Sequence, residues 1–459
     1  MAEAYEILVV GAGPAGYAAA LEAAALGKST ALVERSLLGG TCLNWGCIPT
    51  KLFLGATAPI PAVAAQSRLR LGQGSFTVDL GALQKRKASL LSATRQAMTK
   101  TLETAGVRLI SGEAELCGPT QVLVRSAEAA QTRIDFQRLI LALGSSPAWP
   151  DILAPDGVDV LSSDHALGLG SVPESLIVIG AGAIGLEMAQ FFQRMGSSVT
   201  LIEAADRIAP TEDPEICAQL ASMLKRQGVT VRTSATVRAL ERLSGAVRVR
   251  LGAEEEVMAS KVLVAVGRKP NNHLPGLEAI LPGRSRGLAR AGNALEVDEN
   301  LLLTDSIAAV GDCNGKILLA HAAEDQGRFA ARHAAGTISG PYAPGPIPFC
   351  IYGDPEVFRV GPTLEEIQAK GLSCTVSKAV LAANPVAQAA AAPHGLVNVL
   401  WHGDTVIGIS AVGHGVLHMV STATIMVGQG WTKDQAGTLI FAHPTLDETL
   451  RHALLANPQ

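Results

Sequence analysis

The sequence predicts an α/β fold. Three observations carry that expectation: a glycine loop, Gly11-Ala12-Gly13-Pro14-Ala15-Gly16, directly after an apolar run; a second loop of the same form, Gly180-Ala181-Gly182-Ala183-Ile184-Gly185, after another; and a change of texture near residue 341, where Pro344, Pro346 and Pro348 precede further strands and buried helices. Together they imply two Rossmann-like dinucleotide-binding domains followed by an α+β domain at the C-terminal end. The expected divisions are 1–146, 147–270, 271–340, which returns to the domain of the first, and 341–459. At 459 residues, a prior of about 150 residues per domain allows three or four.

In chain order, residues 7–10 are continuously apolar, as in a parallel strand covered on both faces. Pro14 suits the first turn of a helix, the alanine-rich segment continues it, and Gly27 caps it before a strand at 30–33 that ends at Glu34. This is a complete βαβ unit. Its glycines admit a pyrophosphate close to the backbone, the helix N-terminus favours the negative charge, and the acid accepts from ribose hydroxyls. The unit recurs with the same spacing: Gly16 to Gly27 and Gly185 to Gly196 are both eleven residues, and Gly16 to Glu34 and Gly185 to Glu203 both eighteen. Two dinucleotides are implied. Glu203 would bond a free 2′-hydroxyl and repel a 2′-phosphate, and the next basic residue is Arg207, so NAD is favoured over NADP.

Between the units, 66–105 reads as one long helix and 107–135 as short strands with polar turns. A buried strand at 139–143 ends in Gly144-Ser145, one at 262–266 in Gly267-Arg268, and one at 307–310 in Gly311-Asp312.

The chemistry concentrates in Cys42-Leu43-Asn44-Trp45-Gly46-Cys47. A cysteine pair suggests dithiol chemistry. An unbroken helix would hold such residues roughly 8–9 Å apart at Cα, beyond the ~7 Å that a disulfide tolerates, so the backbone is expected to be distorted, with Gly46 and Pro49 making the departure cheap. A bridge closed in that way is easily reduced. Cys117, Cys217, Cys313, Cys350 and Cys374 are expected to be buried and inert. Near the C-terminal end, His443 precedes Glu448 by five residues with Pro444 between. A carboxylate on one imidazole nitrogen sets the tautomer and raises the basicity of the other, which suits deprotonation of a thiol.

The stretch from Gly39 to Lys51 resembles the redox-active disulfide signature of the flavin-dependent pyridine nucleotide–disulfide oxidoreductases, and Cys-Leu-Asn with Cys-Ile-Pro most resembles their dihydrolipoamide dehydrogenase branch. The resemblance implies FAD on the first loop (Gly11, Gly13, Gly16, Glu34) and NAD on the second (Gly180, Gly182, Gly185, Glu203), with Gly144 and Gly267 where the chain leaves and rejoins the flavin domain. It implies that Asp312 binds the ribityl–phosphate region of the flavin. Lys51 is expected to pair with Glu187 near flavin N5. Catalysis would fall to Cys42, Cys47, His443 and Glu448, with the histidine and glutamate supplied across a homodimer. The implied activity is oxidation of dihydrolipoamide, free or on a lipoylated carrier protein, with reduction of NAD. A reductase of another small disulfide and a non-catalytic flavoprotein component of a larger complex are the alternatives.

Composition excludes other classes. A net charge of −4 and a pI near 6.2 leave no basic footprint for nucleic acid. Residues 405–432 contain no Asp, Glu, Lys or Arg, yet Gly408, Gly413, Gly415 and Gly428 divide them into a strand and a buried helix rather than a membrane span. Seven cysteines without a short, even spacing, and an opening with no room for a signal peptide, favour the cytoplasm. Three departures bear on the partner and substrate rather than on the redox core: Asn384-Pro385-Val386-Ala387-Gln388 lacks the family's usual arginine, 413–420 lacks its usual glutamate, and Trp45 is bulky.

Overall fold

The computed structural model describes residues 3–128, 130–252, 255–281 and 294–458. It divides into two compact units, one formed by Met1–Pro49, Lys85–Ala148 and Arg268–Pro344, the other by Thr50–Gln84, Trp149–Gly267 and Gly345–Gln459.

In the first unit an eight-stranded sheet has Glu3–Val10 near its middle, parallel to Thr30–Glu34 on one side and Gln131–Leu141 on the other. Ile307–Ala309 and Arg108–Ser111 extend the parallel array, and Glu113–Gly118 and Gln121–Arg125 form an antiparallel annex. Side chains alternate between faces: Leu8 and Val10 join one hydrophobic cluster, Ile7 and Val9 the other. Both faces are therefore covered, which is why the sequence here is apolar without alternation. The helices Pro14–Ala25 and Ala320–Ala334 meet through small residues, and a Cβ on Gly327 would stand 2.2 Å from the Ala15 carbonyl oxygen.

The second unit repeats the plan. Its parallel sheet orders Thr230–Arg232, Ser198–Ile202, Ser175–Ile179, Lys261–Val264 and Val160–Leu161. An antiparallel three-stranded layer, Val237–Leu243, Ala246–Leu251 and Glu255–Ala259, packs over one face. Residues 349–458 add a five-stranded antiparallel sheet backed by the helices Val420–Gly428 and Glu448–Leu455 around Trp401, Phe358 and Leu450. Arg359 of that sheet pairs with Glu212 at 3.0 Å, both side chains under a tenth exposed, and Asp213 beside it accepts from the Leu364 amide and the Ser410 hydroxyl. Burial pushes the Glu212 and Asp213 carboxyls up, and the Arg359 guanidinium draws them back.

Three expectations need correction. The segment 66–105 is not one helix: Pro59–Arg68 and Leu80–Thr104 are separate, and Gly72 and Gly74 lie in the connection. Not all five other cysteines are buried. Cys217 and Cys313 are, with burial raising each thiol to about 11, but Cys117 is exposed and Cys350 and Cys374 are half-buried. The helix in 405–432 is one-sided rather than buried: Ala423 and Met426 face inward while Ile425 is 54% exposed. A different stretch, Gly40–Arg68, is long and apolar enough to cross a membrane by composition, but it is three helices broken at Gly46 and Ala58, and Phe53 and Leu54 are core residues of the second unit.

Candidate active site

Each glycine loop is shaped by contacts that only glycine tolerates. Gly11 has φ +99°, and a Cβ there would lie 2.2 Å from the Ala142 carbonyl oxygen; a Cβ on Gly16 would lie 1.8 Å from the Gly11 oxygen. Gly180 and Gly185 repeat the arrangement, with φ +100° and clearances of 2.4 and 1.9 Å. Gly13 and Gly182 cap the two helices from extended backbone, and a Cβ on Gly182 would enter open space. The acids are matched as well. Glu34 accepts from the Ala12 amide (2.7 Å) and the Ser36 amide (2.8 Å), and Glu203 from Ala181 (2.7 Å) and Ala205 (2.9 Å). Each carboxylate is thus pinned above its own loop with acceptor capacity left for ribose hydroxyls. Both cradles fit a dinucleotide.

The cysteine segment is tied to the first loop. The Gly39 amide donates to the Ala12 carbonyl at 2.8 Å, and Gly40 approaches so closely that a Cβ would lie 2.7 Å from the Gly13 Cα. The helix Gly40–Trp45 stops at Gly46 (φ −139°, ψ −110°), and a new helix, Cys47–Thr57, starts at the second cysteine. The break therefore falls at Gly46, while Pro49 occupies the first turn of the new helix, where a missing N–H costs nothing. Cys42 and Cys47 are both half-buried. Between them, buried Asn44 donates to the Leu38 and Gly40 carbonyls at 3.0 and 2.9 Å and accepts from Arg95 at 2.8 Å. Nothing in the sequence singled out Arg95, a charge on a charge-dotted helix.

In the second unit, Lys51 meets the Glu187 carboxylate at 2.8 and 3.0 Å. Glu187 lies in the helix Ala183–Arg194 that starts at the second loop. The Tyr352 amide donates to the same carboxylate at 3.1 Å, and its ring lies 4.1 Å below the ammonium. Burial pushes the Glu187 carboxyl up, and Lys51 and the Tyr352 amide pull it back. Lys51 is therefore a partly desolvated cation held in place, not a solvated surface lysine.

Asp312 lies in a short 3₁₀ turn, not at a helix cap, and accepts from the Ser145 hydroxyl at 2.5 Å. Arg268 donates to Ser145 Oγ (2.8 Å) and its carbonyl (2.7 Å), and Asn271 bonds the Leu143 and Gly144 carbonyls. Burial raises the Asp312 carboxyl, opposed by the Ser145 hydroxyl and the Arg268 charge. Strands Ser145–Pro147 and Arg268–Pro270 pair antiparallel, so Gly144 and Gly267, both at positive φ, precede the two crossing strands.

His443 Nδ1 lies 3.0 and 3.1 Å from the two Glu448 oxygens, with the imidazole 75% exposed. The hydrogen bond to His443 and the Thr445 amide hold the Glu448 carboxyl below its ordinary value. The turn is anchored by fully buried Asn384. Its amide donates to the Thr445 carbonyl (2.9 Å) and the Thr449 hydroxyl (3.0 Å) while its oxygen caps the helix Pro385–Ala389. The 384–388 segment without arginine thus supports the dyad through its asparagine.

Residues 5–327 match the family described as pyridine nucleotide-disulphide oxidoreductase, and 347–454 match that family's dimerisation domain. The chain belongs to this family. Among relatives, a dihydrolipoyl dehydrogenase of Pseudomonas aeruginosa is 35% identical over 98% of this chain and 96% of its own. One from Chlorobaculum tepidum is 32% identical over 99% and 97%. Among solved structures, LpdA from Mycobacterium tuberculosis superposes with a TM-score of 0.89 at 26% identity, covering 98% of this chain and 99% of that one. The HOCl-induced flavoprotein disulfide reductase RclA of Escherichia coli gives 0.85 at 25% over 98% and 99%. As a pyridine nucleotide-disulphide oxidoreductase the chain is an enzyme of α/β fold that uses FAD and NAD and carries a dimerisation domain.

Proposed function

We propose that the chain is a dihydrolipoyl dehydrogenase, working as a homodimer in the cytoplasm and oxidising dihydrolipoamide, free or on a lipoylated carrier protein, with NAD as final acceptor. The observation that carries this reading is the bidentate His443–Glu448 dyad in a chain that also presents half-buried Cys42 and Cys47 across a helix break. Gly11, Gly13, Gly16, Glu34 and Asp312 would hold FAD; Gly180, Gly182, Gly185 and Glu203 would hold NAD. Bound FAD supplies a two-electron acceptor between the thiols and NAD.

The protein's own steps follow from thiol–disulfide exchange. The partner subunit's His443, its tautomer set by Glu448, takes a proton from one substrate thiol. That thiolate attacks Cys42 of the oxidised pair, forming a mixed disulfide and releasing Cys47 as thiolate. The second substrate thiol attacks the substrate sulfur of that mixed disulfide, its proton passing to the departing Cys42 sulfur, so that the substrate disulfide closes and Cys42 is released as a thiol. Two thiols have become one disulfide, and the protein's disulfide has become a Cys42 thiol and a Cys47 thiolate, with the other proton held on the partner's His443. Lys51, held by both oxygens of Glu187, would supply a fixed positive charge to the flavin that reduction makes more negative.

Incubation of the flavin-loaded protein with NAD and dihydrolipoamide tests the reading, with NADH formation expected. NADH from other dithiols but none from dihydrolipoamide would overturn it. The likeness to RclA supports the second reading, a reductase of another disulfide, and that outcome would favour it.

A further inference from the structure

Arg207 is the nearest basic residue after Glu203, on the loop that leaves the second dinucleotide cradle. Both ends of that loop are fixed to the glycine turn: the Glu203 carboxylate accepts from the Ala181 amide at 2.7 Å, and the Ala209 amide donates to the Ala181 carbonyl at 2.9 Å. The intervening backbone is held as well, through Ser234 N–H to the Ala205 carbonyl at 2.7 Å. Arg207 therefore stands a few residues from the carboxylate that would receive the adenosine ribose. A guanidinium at that place is the group that accommodates a 2′-phosphate in dinucleotide sites.

Here it is engaged elsewhere. Arg207 donates to Glu365 at 2.5 Å, with Asp206 at 3.8 Å on its other nitrogen. Its buried Nε has no hydrogen-bond partner among the described residues, so the side chain is drawn out by its far end rather than saturated along its length. Glu365 occupies the first turn of the helix Leu364–Ala369, whose start is independently secured by the Thr363–Glu366 capping box and by Leu364 N–H to Asp213 at 2.8 Å. The helix does not need Glu365 to form.

We propose that Glu365, a residue of the C-terminal domain, determines nucleotide specificity by holding Arg207 away from the adenosine end of the second cradle. The pair leaves Glu203 as the charge that the ribose meets, and a 2′-phosphate finds repulsion without a compensating cation. Glu365 is a positioning residue, acting only through Arg207. The inference rests on the reading of the second loop as the NAD site.

The test is calorimetric titration of the oxidised, flavin-loaded protein with NAD+ and with NADP+, comparing the ratio of the two dissociation constants. In Glu365→Gln the ratio of the NADP+ to the NAD+ constant is expected to fall about five- to tenfold, a shift of order 1 kcal/mol. Glu365→Ala should behave alike, and adding Arg207→Ala to either should restore the original ratio. An unchanged ratio in the single variants would overturn the proposal, as would a gain in NADP+ binding that survives loss of Arg207. Wild-type protein that binds NADP+ more tightly than NAD+ would instead overturn the NAD reading on which it rests.

Discussion

At the residue scale, side chains proposed to carry the chemistry are held by more than one partner. His443 is presented to solvent, yet its ring is fixed by both oxygens of Glu448, and the Thr445 amide fixes Glu448 in turn. His443→Ala is expected to lower dithiol-dependent NADH formation by roughly 10²–10⁴, the usual contribution of a general base, with flavin absorbance retained as the check on folding. The pH dependence has a definite sign. The folded Glu448 carboxyl lies below its ordinary value of 4.5, so its bond to His443 is intact above that value and is lost as pH falls through the lower folded one. Glu448→Gln, which keeps a hydrogen-bonding side chain but removes the charge, should lower kcat/KM for dihydrolipoamide and change the shape of its pH profile. An unaltered profile would mean that the carboxylate does not tune the imidazole.

Elements explain why these side chains are where they are. The helix break at Gly46 separates the two cysteines, and a Cβ at that position would press to 3.0 Å from the Thr41 carbonyl oxygen. The second glycine loop copies the first to within a few tenths of an ångström in its closest approaches, and the helix Ala183–Arg194 and strand Ser198–Ile202 follow it in the same order as Pro14–Ala25 and Thr30–Glu34 follow the first. Within the second unit, the strand Glu356–Val360 is locked to the turn before the helix Pro214–Arg226 by the Arg359–Glu212 pair. Removing one member of a buried pair strands the other's charge, so Glu212→Gln should destabilise the protein by roughly 3–5 kcal/mol in denaturant titration. Replacing both residues with apolar ones of similar size should cost much less.

For the whole molecule, the decisive question is how the thiols and the base come together. Cys42 and Cys47 belong to the first unit and His443 to the second, in the part that matches a dimerisation domain. If the partner's imidazole serves each cysteine pair, two inactive homodimers, Cys47→Ser and His443→Ala, should complement one another after subunit exchange. Random reassortment makes half the dimers mixed, each with one intact site, so about a quarter of the original activity should return under two-fold symmetry. No recovery after verified exchange would place base and thiols in the same subunit.

The parts whose physics is local could be read from the order of the residues. The βαβ units were legible because a glycine forced to positive φ, a capping glycine and an acid at the next strand's end must recur at set spacings, and Gly11, Gly16, Glu34 and their counterparts 169 residues on stand as expected. The cysteine pair and the His443–Glu448 dyad were legible for the same reason, since five residues and one turn relate their members. The long-range pairings emerge only once the chain is folded. Arg95 on Asn44, Tyr352 against Lys51, Asn384 under the dyad turn, Arg268 behind Asp312 and Glu365 on Arg207 each join residues far apart in the chain. No periodicity marks such pairs: where they are buried, a polar group removed from water must find its partner wherever folding brings one, and the exposed Glu365–Arg207 pair is set by the fold alone.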